Sequence, residues 1–302
     1  MSDRVVQIAD EPDWGSFRGK FLACSRYMAR NPSLLLGLAL LGALVAFSGL
    51  GRLLIDVRLA SPLSAPTAQP PSWALPLGSD PQGRNLLAVM IEGTWLTIRT
   101  GVIAGALGVI VGSAIGFISA YVGGMVDRAI TWSVDVLLTI PAILFLVMVS
   151  SVVQTGLTSI GMALIVAALA WRRPARQVRS QMLVMRSSGY VDMAKLSGLG
   201  PMRIIFLEIA PNLLPFLVSS FVTAVSAAIL ASVGLEAMGL GPQNEPTLGM
   251  TIFWIMEFSA FLRGLWWWIL PPVIILIVLF VGLYLVNTGL DELANPRLRQ
   301  RA

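Results

Sequence analysis

A chain of 302 residues that is 56% hydrophobic and only 12% charged is an integral membrane protein, because soluble domains carry about 25% charged residues. Its net charge of +5 gathers at the edges of apolar blocks, where the positive-inside rule accounts for it, so nucleic-acid binding is excluded. The absence of histidine excludes a His-based intramembrane hydrolase or zinc enzyme, and the single cysteine, Cys24, has no partner for an intrachain disulfide.

Residues 1–32 form a polar arm carrying Arg4, Arg18, Lys20, Arg26 and Arg30. The 21 uncharged residues from Asn31 to Gly51 have no small-residue cleavage site before Arg52 and predict an uncleaved first span near 33–53. Residues 54–97 hold six prolines between Pro62 and Pro81, which predicts an extended loop, then a helical stretch around Asn85 to Trp95.

A second span is expected near 98–121. Its Gly101, Gly105, Gly108, Gly112 and Gly116 fall on one helix face, and such small faces allow close helix packing in lipid, within this subunit or against another. The uncharged run from Val136 to Trp171 is 36 residues long, too long for one span and enough for two. Spans are therefore placed near 130–153, interrupted by Pro141, and 157–173, with a turn at Gln154-Thr155-Gly156. Asp135, near the end of the third span, reads as a boundary carboxylate reaching water or a helix-end donor.

A basic island follows, 41 residues from Arg172 to Asn212, with Arg172, Arg173, Arg176, Arg179, Arg186, Lys195 and Arg203. Connections in compact helical proteins usually run roughly 2 to 8 residues, so this one is long enough to form a contact surface. Ser187-Ser188-Gly189 offers a helix start, with Asp192 in the first turn, and Gly198-Leu199-Gly200-Pro201 a stop. The expected product is a helix of about two turns displaying Tyr190, Asp192, Met193, Lys195 and Leu196 within the segment 187–201.

A fifth span near 211–235 carries Pro211 and Pro215, and a sixth near 267–288 carries Pro271-Pro272. Between them, residues 236–266 hold Glu236, Glu245 and Glu257 among turn-forming glycines and prolines, positions that contact an outside partner or cap the bundle. The tail is 291–302. Six spans place both termini on one side, and sixteen of the twenty-one Lys and Arg residues then share the island's side, which predicts that side to be cytoplasmic.

Tyr190 to Gly198, followed by Ile209-Ala210-Pro211-Asn212, resembles the EAA motif of ABC importer permeases. The spacing agrees at Ala194, Gly198, Ile209 and Pro211, while Asp192 stands for Glu, Met193 for Ala and Ala210 for Leu. Leu77-Gly78-Ser79-Asp80-Pro81-Gln82-Gly83-Arg84-Asn85 is similar to the LGTDxxGRD signature of the dipeptide, oligopeptide and nickel permease branch, in its "C" type subunits. Asp135 to Pro141, Gly239-Leu240-Gly241 and Asn295-Pro296-Arg297-Leu298-Arg299 fit the same branch.

The resemblance implies an all-α integral membrane protein of the type I ABC importer fold, with six transmembrane helices and a short cytoplasmic coupling helix between spans 4 and 5. It implies that Tyr190, Asp192, Met193, Ala194, Lys195, Leu196, Gly198 and Pro211 couple the chain to an ATPase. It further implies a homologous sister permease, two ABC ATPases that bind ATP and Mg, an extracytoplasmic solute-binding protein and a location in a bacterial cytoplasmic membrane. Peptides are the implied solutes, with nickel complexes or oligosaccharides as alternatives. The chain has no phosphate-binding GxxxxGK[ST] loop, and no catalytic, cofactor or metal residues are assigned. The alternative reading is a secondary transporter or channel that works without an ATPase.

Overall fold

The computed structural model describes residues 31–152 and 157–294. The basic arm with Cys24, the turn expected at Gln154-Thr155-Gly156 and the segment Asn295 to Arg299 lie outside them. The architecture is helical: α1 (Pro32–Leu54), α2 (Leu86–Val122), α3 (Gly124–Thr139), α4 (Ala142–Val152), α5 (Ser159–Ala170), α6 (Arg172–Arg186), α7 (Gly189–Leu196), α8 (Ala210–Ala237), α9 (Leu248–Glu257) and α10 (Trp266–Ala294). Among the described residues, α1, α2, α10 and Leu207–Ala237 are long and apolar enough to cross a bilayer, and α3 with α4 supplies a fifth if counted as one bent span.

The longest helix, α2, organises the others. Asn85 starts it by accepting the backbone N–H groups of Leu87 and Ala88 on its side chain, satisfying donors that the first turn leaves open. Its 37 residues extend about 55 Å at 1.5 Å per residue, so the stretch expected around Asn85 to Trp95 and the second span are one continuous helix. The five glycines meet other helices of this same chain. A methyl on Gly105 would lie 2.8 Å from the Val225 amide nitrogen, and one on Gly112 would lie 2.5 Å from the Trp171 carbonyl oxygen. Absence of a β-carbon is what lets α8 and the α5–α6 junction approach this closely.

The third span is broken rather than straight: α3 and α4 meet at 82°. Pro141 supplies no amide hydrogen to α3, and Ile140 before it takes an extended conformation (φ −74°, ψ 122°), as residues preceding proline do. The expected fourth span, 157–173, holds a short helix. Its helix α5 has only 12 residues, about 18 Å, and ends at Ala170, while helical structure resumes at once as α6. The basic island is therefore mostly helix, not loop. Before Pro211, which has no N–H to return to Leu207, the backbone widens into a π-turn at Ile205–Ile209, and the Ala210 N–H reaches Ile205 O. Pro215, Pro271 and Pro272 lie inside α8 and α10.

At the N-terminal end of α2, the proline-rich segment is folded by its polar side chains. Buried Asp80 accepts the backbone N–H groups of Gln82 and Arg84 at 3.0 and 2.9 Å and pairs with Arg84 Nε at 2.6 Å. Trp267 Nε1 donates to the Ser79 carbonyl, tying this motif to α10. Glu236 and Glu245 point inward and cap the bundle. Glu236 is fully buried in the last turn of α8 and accepts from Ser232 Oγ (2.9 Å) and Thr247 Oγ1 (2.7 Å). Glu245 accepts the Ser159 N–H that begins α5.

Candidate functional site

At the opposite end of α2, the helix α7 is built by the local chemistry of the island. Its first turn forms where Ser188 O accepts the N–H groups of Val191 and Asp192. It ends where Gly198 adopts φ +75°. Leu199 N then donates to Ala194 O at 3.2 Å and Gly198 N to Lys195 O at 3.0 Å, the paired bonds of a Schellman stop.

The two faces of α7 differ. Val191 and Ala194, three residues apart, are buried against Ala120, Met182, Ile204, Ile209 and Leu213. The other face presents Tyr190, Met193 and Leu196, the last two 66% and 83% exposed. Asp192 and Lys195 flank it, ion-paired at 2.8 Å and both more than half exposed. Of the eight positions singled out in the sequence, Tyr190, Asp192, Met193, Lys195, Leu196 and Gly198 thus lie on exposed surface at one helix. Ala194 faces inward and anchors the helix instead. Pro211 is exposed at the start of α8, and its neighbours Ile209 and Leu213 pack beneath α7.

Two features were missed from the sequence. One is α6 itself, whose arginines staple the island to the bundle. Arg179 makes a two-point contact with Asp127 of α3, Nε to Oδ1 at 2.5 Å and Nη2 to Oδ2 at 2.6 Å. That hydrogen-bonded carboxylate holds the Arg179 guanidinium still further above its ordinary pKa. Arg176 pairs with Asp135 at 3.2 Å, so the boundary acid finds its partner in the island. Arg186 Nη1 donates to Ala120 O at the end of α2. The signal was present: Arg172, Arg176, Arg179 and Arg186 are spaced by four, three and seven residues, a helical period.

The second is a cavity of ≈ 420 Å³ between α4, the α5–α6 junction and α8. No sequence pattern marks it, because its walls come from segments up to about ninety residues apart. Among the described residues, no group of three or more Cys, Asp or Glu side chains could hold a metal ion.

Similarity to known proteins agrees with this arrangement. Residues 108–300 match the family described as "Binding-protein-dependent transport system inner membrane component". The chain is 29% identical over 238 residues to the dipeptide transport system permease protein DppC of Haemophilus influenzae, covering 76% of this chain and 79% of that protein. It is 29% identical over 242 residues to the oligopeptide transport system permease protein OppC of Mycobacterium tuberculosis strain H37Rv, covering 76% and 79%. Among solved structures, it shares the fold of a chain of the MetNI methionine ABC transporter in an inward-facing conformation, with a TM-score of 0.55 and 19% identity over 68% of this chain and 94% of that one. The chain belongs to the binding-protein-dependent transport system inner membrane components, the permease subunits of ABC importers.

Proposed function

We propose that this permease imports peptides delivered by an extracytoplasmic solute-binding protein. It works with a homologous sister permease and two ATPase subunits that bind ATP and Mg and hydrolyse the nucleotide. The peptide class rests on the curated relatives, which are named as dipeptide and oligopeptide permeases. In this reading, the transmembrane unit is residues 33–290. Both termini and the island lie on the cytoplasmic side of a bacterial inner membrane, as the distribution of Lys and Arg favours.

One observation carries the coupling role: α7 is a short, capped helix that buries one face in the bundle and leaves Tyr190, Met193 and Leu196 uncovered at a polar end. An apolar strip flanked by Asp192 and Lys195 suits a groove on another protein better than water. Because Val191 and Ala194 pack on residues at the start of α8, a push on α7 reaches that helix through side-chain contact.

The test is reconstitution of this chain in liposomes with the products of its neighbouring genes, followed by dialanine uptake. Uptake that requires ATP, the ATPases and the binding protein is the expected result. Uptake by this chain alone under an ion gradient would establish a secondary transporter and refute the proposal.

A further inference from the structure

The cavity beside α8 has the size of a small-molecule site, a class that spans roughly 300–1,000 Å³. Its walls are largely small and apolar, with Ala227 and Ala231 on α8. Arg172, Arg173, Gln177 and Ser220 bring polar groups to it. Ser220 is only 6% exposed, and its hydroxyl has no hydrogen-bond partner, which is costly for a buried polar group unless something else satisfies it.

The charge here is one-sided, since no Asp or Glu lines the cavity. Further along α6, Arg176 and Arg179 are neutralised by Asp135 and Asp127. Arg172 instead donates to the carbonyl oxygens of Leu169 and Leu137, which leaves its charge uncompensated. Arg173 is exposed at the cavity, and its guanidinium makes no hydrogen bond or ion pair with the described residues. Two uncompensated guanidinium groups beside an apolar wall favour an amphipathic solute that bears a carboxylate, because that group receives charge-assisted hydrogen bonds there while the apolar part leaves water.

We infer that this cavity binds a solute by a carboxylate at Arg173, in the field of Arg172, with a hydrogen bond from Ser220 and small side chains against the alanine wall. The inference rests on the peptide-import reading and narrows it to small peptides with a free C-terminal carboxylate. The phosphate of an anionic lipid offers similar chemistry, and the experiment separates the two.

The test uses the full chain carrying Cys24→Ser and Ala227→Cys, in nanodiscs of zwitterionic phosphatidylcholine, and follows labelling of the introduced thiol by uncharged N-ethylmaleimide. Dialanine is expected to slow labelling severalfold and saturably, whereas dialanine amide, which lacks the carboxylate, leaves it unchanged. Arg173→Gln should raise the half-protecting concentration about tenfold, the effect of losing one charge-assisted hydrogen bond, and Arg173→Lys should recover part of it. An unchanged rate without ligand shows that a variant keeps its fold; if Arg173→Gln fails that control, Ser220→Ala provides the same comparison. No protection by dialanine, equal protection by the amide, or protection insensitive to these variants overturns the inference. Protection that appears only when phosphatidylglycerol is added, and that dialanine does not displace, assigns the guanidinium groups to lipid and also overturns it. The readout requires neither ATP nor a partner, so its failure leaves ATP-driven import standing.

Discussion

Arg179 of α6 grips both carboxylate oxygens of Asp127 of α3, and the same carboxylate accepts a hydrogen bond from Ser119 of α2 at 2.5 Å. Three helices therefore meet at one acid. The planar guanidinium fork suits a two-point contact that a lysine ammonium does not reproduce. Arg179→Ala is expected to cost about 1–2 kcal/mol, since it leaves a partly buried carboxylate short of its main partner, and Arg179→Lys should fall between. Thermal unfolding of the purified variants in detergent measures this. A double-mutant cycle with Asp127→Ala that gives a coupling below about 0.5 kcal/mol would remove the pair as the staple of α6.

Gly112 packs against the backbone at Trp171. An added methyl would sit 2.5 Å from a carbonyl oxygen and 2.9 Å from the Ala175 amide nitrogen, and neither atom moves without its helix. Gly112→Ala should destabilise the chain by about 1–3 kcal/mol despite the better helix propensity of alanine. Gly42→Ala provides the contrast: it meets nothing within 4 Å and should be neutral or slightly stabilising. Equal melting temperatures for the two variants would refute close packing at the α2 face.

On α7, surface and stop are separable. Asp192 and Lys195 are both well exposed, so breaking their pair costs little, about 0–1 kcal/mol. Asp192→Lys should then weaken copurification with the ATPases while leaving the melting temperature nearly unchanged. Full copurification would take Asp192 off the docking surface. Gly198 has open space around it but φ +75°, so a side chain there is penalised by backbone geometry alone, by about 1–2 kcal/mol. Gly198→Leu should lower the peptide imported per ATP hydrolysed, and Gly198→Asn, which tolerates this conformation better, should retain more. Wild-type coupling in Gly198→Leu would show that the stop does not transmit force.

Glu236 joins α8 to α9 from inside the bundle. It accepts from Ser232 and Thr247, and its Oε2 lies 2.4 Å from where a methyl on Gly249 would be placed, over the first turn of α9. Glu236→Leu leaves two buried hydroxyls without their acceptor and is expected to cost about 2–3 kcal/mol. Glu236→Gln, which keeps one acceptor oxygen, should cost less. Hydrogen exchange across Leu248–Glu257 reports the effect locally; protection unchanged in Glu236→Leu would mean that α9 is held by its apolar contacts alone.

Several of these features were visible in the sequence because they are encoded over short distances. Ser188, Asp192 and Gly198 mark the start and stop of α7, and the stop has the geometry that glycine there requires. Pro141 marks the break between α3 and α4, though only the structure sets its angle. The end of the apolar run at Trp171 coincides with the end of α5 at Ala170, but apolar content does not reveal that the chain stays helical across it and continues as the basic α6.

Composition, charge asymmetry and local caps by themselves determined that this is a membrane-embedded helical chain with one basic end and a short capped helix within it. Those properties depend on neighbours in sequence, and solvent and backbone chemistry act on them directly. Only the tertiary structure decided that the glycine column of α2 closes on this chain's own helices and that Glu236 is enclosed. It also decided that Arg176 and Arg179 are neutralised while Arg172 and Arg173 turn uncompensated charge toward a cavity. These depend on which surfaces meet across separations of tens to more than a hundred residues, where packing, not local preference, selects each side chain's partner.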